Sequence, residues 1–174
     1  YNPKRNGDGM DEFLYKIKLI PLEAFETKIN RGDWIDFHDH YRSYENIRTI
    51  EQLSHNNSFI FGEGIGSQVD LKQKVFLGDM ELRHISILHN GYMTILLKTG
   101  IFGLIFLLFS IIQFSSFKTY KSSIEKHTNE IFFATAVFLI ISNWVFLGLY
   151  NLLDTKVILL GFLIAYKNQQ VKLQ

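Results

Sequence analysis

Between Lys98 and Lys118 the chain carries no charged residue, and Thr99–Phe117 is 19 residues of Ile, Leu, Phe, Gly and a few hydroxyl or amide side chains. Such a run has two destinations. It crosses a bilayer, whose ~30 Å hydrocarbon core takes about 20 helical residues, or it becomes the core helix of a soluble protein. A second uncharged stretch, Ile131–Asn151, has similar length and almost no polar side, whereas a surface helix of a globular protein shows one. Two such runs favour the membrane. A third, Val157–Tyr166, is only ten residues, and extending it back to Leu152 takes in Asp154 and Lys156. It fits a short tilted span or half of a re-entrant pair.

The expected class is therefore an all-α, polytopic membrane protein. Residues 1–88 are charged and loop-like and form an extracytoplasmic segment; residues 89–174 hold the spans, about 91–117, 131–151 and 152–166. A loop at 118–130 and a tail at 167–174 connect and follow them. The loop carries Lys118, Lys121 and Lys126 and the tail Lys167 and Lys172. The positive-inside rule makes both cytoplasmic, which puts residues 1–90 outside. The chain begins at Tyr1 without an initiator Met and reads as the C-terminal part of a longer membrane protein. Aromatic residues make up 15%, and Phe at 16 is the commonest of them, as suits lipid-facing helices. A net charge of +1 gives no basic field for nucleic acid. With no Cys there is no disulfide, thiolate metal site or Cys nucleophile.

Within the polar part, Phe13, Leu14, Ile17 and Ile20 recur at helical spacing over Asp11–Ile20, and Pro21 breaks or kinks that segment. It would lie on a membrane surface or pack on the rest of the loop domain. Arg31-Gly32-Asp33 reads as a turn with Asp33 capping the next helix. From Trp34 the apolar and aromatic positions 34, 37, 41, 44, 47, 50 and 53 recur at three- and four-residue steps, giving a helix to about Leu53 that ends in Ser54–Ser58. His38 and His40 lack the i,i+4 spacing of helical metal ligands. Arg42 and Arg48 have surface ion pairs with Glu45 or Glu51 as their default partners. Gly62-Glu63-Gly64-Ile65-Gly66 is not G-x-G-x-x-G and has no βαβ context; it reads as a tight turn in which glycines supply positive φ and close backbone approach. Gln68–Leu88 is mixed, with apolar patches at Val69–Leu71 and Val75–Leu77 and a turn at Gly78-Asp79. His84 there is a second candidate histidine.

The two halves join at His89–Gly103, HNGYMTILLKTGIFG. Projected on a helix, Gly100 falls within roughly 20° of His89 and Gly103 within about 40° on the other side, while Lys98 points away, free to snorkel to headgroups. Small residues let a neighbouring helix approach closely. On these residues alone Gly100 and Gly103 are packing glycines, and His89 is an interfacial residue with one hydrogen bond.

The pattern His89-Asn90, nine residues, Gly100, two residues, Gly103 resembles the signature near the end of the bacterial O-antigen ligase and polymerase family. The order of an arginine on a helix (Arg42, with Arg48 second), the glycine turn at Gly62, Gly64 and Gly66, and then His89-Asn90 is similar too. Where the family often has Trp shortly after the arginine and Pro before the glycines, this chain has Ile47-Arg48 and Ser58.

The resemblance implies a glycosyltransferase of the bacterial inner membrane with its catalytic loop in the periplasm. It would take a glycan from undecaprenyl pyrophosphate and pass it to another repeat unit or to lipid A–core. His89 would serve as base towards the acceptor hydroxyl, and Arg42, or failing it Arg48, would meet the charge on the departing pyrophosphate. Asn90 would orient His89 or a sugar hydroxyl. No metal or cofactor is called for. A groove for a polyprenyl chain needs more helices than these, so residues 1–174 alone are expected to be inactive. The competing expectation is a non-catalytic membrane protein, a flippase-like transporter or partner subunit in which His89 only packs.

Overall fold

The computed structural model of the chain describes residues 9–23, 26, 28–30, 32, 34–77, 80–113, 123–145 and 155–172. Helix α1 is Gly9–Glu23, α2 Trp34–Asp39 and α3 Tyr41–His55. Strands β1, Val69–Leu77, and β2, Met80–Ile85, follow, and then helices α4, Gly91–Gln113, α5, Ser123–Val145, and α6, Thr155–Lys172. The chain is mostly helical, but the all-α expectation needs correcting. The two strands pair antiparallel, Val69 opposite Ile85 and Leu77 opposite Met80, with an irregularity between Asp70 and Val75. The physical reason is period. Val69, Leu71 and Val75 are buried while Lys72, Lys74 and Phe76 are exposed, so odd positions face inward, as in a half-buried strand. The extra residues of the bulge, with Lys72 at φ +57°, interrupt the alternation and disguise it. The expected turn residues Gly78 and Asp79 lie outside the described residues, as does the expected capping residue Asp33.

One core gathers Phe37 from α2, Tyr44 and Leu53 from α3, Val69, Leu71, Val75 and Ile85 from the hairpin, and Leu88, Leu96 and Leu97 around the start of α4. The expected boundary at residue 88 is therefore not a break in packing, because the first turns of α4 belong to this core. Complete burial of a Leu such as Leu97 contributes about 1.5–3 kcal/mol. A second cluster, Ile111 with Ala136 and Leu139 and with Leu107 and Leu160 against it, joins α4, α5 and α6.

Helix α1 runs two residues past Pro21, so the proline stands in its last turn and does not break the expected segment. Met10, Phe13 and Ile17 are exposed. The long helix expected from Trp34 divides at His40 into α2 and α3. A series of three-residue steps drifts about 60° per step around a helix, so those positions cannot share one side: Phe37, Tyr44 and Leu53 are buried, while Ile50 is exposed. Helix α3 ends in a Schellman motif, Ser58 N–H to Leu53 C=O at 3.0 Å and Asn57 N–H to Ser54 C=O at 3.3 Å. Asn57 takes φ +52° there, a conformation Asn tolerates.

Among the described residues α4 is the one helix long and apolar enough to cross a membrane. The other expected spans, 131–151 and 152–166, are described only in part. Helix α5 already begins at Ser123, inside the expected 118–130 loop, and α6 continues to Lys172, inside the expected tail.

Helix α4 is not continuous. Gly100 has φ +68° and ψ −166°, a backbone region essentially confined to glycine. At that break the 59–66 loop inserts. Glu63 and Gly64 N–H donate to the carbonyls of Leu97 and Lys98 (2.8 and 3.0 Å), and Ile101 and Phe102 N–H donate to the carbonyls of Phe59 and Ile60 (2.8 and 3.2 Å). In an unbroken helix Ile101 and Phe102 would donate to Leu97 and Lys98. Two intrahelical bonds are thus replaced by four to the loop.

Candidate functional site

The site begins with how α4 starts. Asn90 is its N-cap: Oδ1 accepts the N–H groups of Tyr92 (3.0 Å) and Met93 (3.2 Å), and its carbonyl accepts Thr94 N–H at 3.1 Å. Leu88 N–H donates to Thr94 Oγ1 at 3.1 Å. Asn90 is buried, and its carbonyl end serves the helix terminus. His89 stands just before the cap and outside α4, so a helical projection does not set its direction.

Glu45 of α3 sets that direction. This carboxylate is 1% exposed. It accepts the His89 backbone N–H on Oε2 (2.9 Å) and meets His89 Nδ1 through Oε1, also at 2.9 Å. With the carboxylate as acceptor, Nδ1 is the donor of this bond, and the neutral ring in that tautomer keeps its lone pair on Nε2. The imidazole is 38% exposed. The Tyr41 ring stands edge-on to it, centroids 5.7 Å apart and planes at 85°. Burial, and then the Glu45 charge, push the Tyr41 phenol above its usual range, so Tyr41 remains protonated.

The two arginines part company. Arg42 lies on α3 one turn before Glu45 and is half-buried. Arg48 is buried and belongs to the scaffold: Nε donates to the Asp70 carbonyl at 3.2 Å, and the guanidinium pairs with Glu51. Of the two default partners, Glu51 is the one Arg48 uses; Glu45 goes to His89. A cleft of about 560 Å³ between α3 and β1, lined by Arg48, Glu51, His55, Asp70, Lys72 and His84, does not include Glu45 or His89. Arg83 holds the Asp70 carboxyl well below the usual carboxylate range, helped by the Lys72 N–H. His84 lies there, 3.9 Å from Asp70. Among the described residues no group of three His, Asp or Glu could hold a metal ion.

The glycines are brought together in part. A Cβ on Gly62 would stand 2.5 Å from Lys98 C, and one on Gly100 would stand 2.6 Å from Gly62 N; each must be bare because the other's backbone lies against it. Gly64 also has positive φ, +96°, but open space around it, and Gly66 has neither constraint. The nearest atoms to a Cβ on Gly103 belong to the Thr99 side chain of its own helix. Lys98 does not reach towards headgroups. It is buried, and Nζ donates to the carbonyls of Ile65 (2.7 Å) and Ser67 (3.3 Å), clamping the loop from the far side.

Glu45 is the residue of this candidate site that no local sequence signal marks as the partner of His89. It lies 44 residues from His89, and no local spacing links them. The available signal was a carboxylate one turn from Tyr41 and next to Tyr44, on the buried side of α3. No family model, curated protein or solved structure matches the chain.

Proposed function

We propose that the protein is a membrane glycosyltransferase that uses a lipid-linked donor, with His89 as its base and Glu45 as the residue that positions it. The observation that carries the reading is the buried Glu45 carboxylate, which fixes both the backbone and the ring of His89 just before an apolar helix long enough to span a bilayer. A packing histidine needs one hydrogen bond. A base needs a defined tautomer and a held ring.

In the proposed step the acceptor hydroxyl oxygen attacks the anomeric carbon of the donor glycan. Its proton passes to His89 Nε2, and the bond from that carbon to the pyrophosphate oxygen breaks. The leaving group is undecaprenyl pyrophosphate. Arg42, on the same helix as Glu45, would meet its charge; Arg48, bound to Asp70 and Glu51, is not assigned that role. The acceptor is a repeat unit or lipid A–core, and the protein would be a multi-pass protein of the bacterial inner membrane with residues 1–90 in the periplasm. The test is His89→Ala in the full-length protein in its own host. Loss of the surface polysaccharide ladder at normal protein level is expected, with single repeats on core marking a polymerase and polymer on the carrier lipid marking a ligase. An unchanged ladder returns His89 to a packing role.

A further inference from the structure

We propose that the 59–67 loop seats the protein in the membrane, with Ile60, Phe61 and Ile65 immersed in the interfacial layer of the lipid bilayer beside α4. The inference rests on α4 being a membrane span, as in the proposed function. Ile60, Phe61 and Ile65 are 63%, 74% and 82% exposed, an unusual arrangement for three large apolar side chains in one short loop. They are continuous with a larger apolar surface. The Phe61 ring lies 6.4 Å from that of Phe102, and Phe102 opens the exposed side of α4 that continues through Ile105, Phe106 and Phe109. Before Gly100 the helix is buried in protein, from Thr94 to Lys98; after it, α4 turns apolar side chains outward. The loop therefore stands where α4 leaves protein for its next surroundings.

The loop cannot retreat from that level by itself. Four backbone hydrogen bonds, the facing glycines Gly62 and Gly100, and the Lys98 clamp on Ile65 and Ser67 tie it to the helix. These bonds also satisfy part of the loop backbone: the N–H groups of Gly62, Glu63, Gly64 and Ser67 and the carbonyls of Phe59, Ile60, Ile65 and Ser67 have protein partners. Irregular backbone exposed to lipid does not occur within the hydrocarbon, so the remaining polar groups fix the loop at the interfacial level, where water and headgroups can bond them. The one charge in the loop, Glu63, is held back towards α3 by Gln52, Asn56 and Ser58. His55, Asn56 and Asn57, at the end of α3, are exposed and mark the polar side. An apolar tip under a polar collar is the pattern of an interfacial anchor.

The test uses the full-length protein in phosphatidylethanolamine–phosphatidylglycerol vesicles. Any Cys outside these 174 residues is replaced, and one NBD-labelled Cys is introduced at a time by Phe61→Cys, Ile65→Cys, Phe106→Cys or Lys74→Cys. Nitroxide lipids labelled near the headgroup end of the acyl chain or deep within it serve as quenchers. Labels at positions 61 and 65 are expected to be quenched several-fold more by the shallow nitroxide than by the deep one, position 106 mainly by the deep one, and position 74, on the hairpin, by neither. Quenching at 106 with none at 61 and 65 would overturn the proposal and leave the span standing; the loop would then face water or another protein segment. Stronger deep than shallow quenching at 61 and 65 would overturn the interfacial depth. No quenching at any position would remove the span, and the proposal with it.

Discussion

Gly62 and Gly100 meet backbone to backbone: a Cβ on Gly100 would lie 2.6 Å from Gly62 N, and one on Gly62 would lie 2.5 Å from Thr99 N. The loop and the break in α4 therefore require one another. The two glycines most constrained by geometry come from the two glycine groups that stand out in the sequence, 38 positions apart.

Gly62→Ala and Gly100→Ala should each cost about 2–5 kcal/mol, the sum of a left-handed or glycine-only backbone and a clash with backbone atoms that cannot turn aside. Gly64→Ala carries the backbone penalty alone, about 1 kcal/mol, and Gly66→Ala should be near neutral. Thermal unfolding of the four variants in detergent checks the ranking. Equal effects at 62 and 66 would contradict the interlock.

Asn90→Ala should cost about 1 kcal/mol by loss of the cap, and Asn90→Ser or Asn90→Asp should restore most of it. Because Oδ1 accepts from Tyr92 and Met93, the Ser and Asp variants should keep glycan transfer per folded molecule. Full folding with transfer abolished in both would mean that Asn90 touches substrate.

The arginines should separate stability from turnover. Arg48→Ala removes a hydrogen bond to the Asp70 carbonyl and a partner of Glu51, and should destabilise by about 1–2 kcal/mol with transfer per folded molecule retained. Arg42→Ala should lower transfer per folded molecule at least tenfold. Unfolding curves paired with ladder intensity at matched protein level check both.

The hairpin should respond to acid. Arg83, and then the Lys72 N–H, hold the Asp70 carboxyl below its usual range, whereas in the unfolded chain it titrates near pH ~4. A group whose folded pKa is depressed contributes stability that is complete above the unfolded pKa and is lost as pH falls through the folded one. Amide exchange protection of β1 and β2 should therefore fall with acid below about pH 4, and Asp70→Asn should remove that part of the dependence. A wild-type profile matching that of Asp70→Asn would contradict the assignment.

How far the sequence can be read follows from where each constraint lies. The helix at Asp11–Ile20 was legible from local apolar periodicity and the one after Asn90 from its apolar run; the one from Trp34 was legible in part, since it divides at His40. The glycine turn was legible as well, since positive φ is a property of single residues, and Gly62 and Gly64 adopt it. The hairpin was not, because the bulge around Lys72 interrupts its alternation. The break at Gly100 was hidden in an uninterrupted apolar run; what makes it stable is a loop far away in the chain. Lys98 misled for the same reason: a lysine in an apolar helix suggests headgroups until the carbonyls of Ile65 and Ser67 are seen beside it. His89 stood out by its spacing to Gly100 and Gly103, yet its partner Glu45 is a tertiary contact that no sequence spacing encodes.

Whether His89, positioned by Glu45, carries glycan transfer is decided by single-turnover transfer from a lipid-linked glycan by purified full-length protein. Wild type would be compared with His89→Ala, Glu45→Gln and Glu45→Asp at equal folded amounts. His89→Ala is expected to lose about 10²–10⁴-fold in rate, the range for removing a general base. Glu45→Gln is expected to lose less, in the single-turnover rate constant more than in the donor concentration that half-saturates it, with partial rescue by Glu45→Asp. Transfer at the wild-type rate by folded His89→Ala protein would contradict that role for His89.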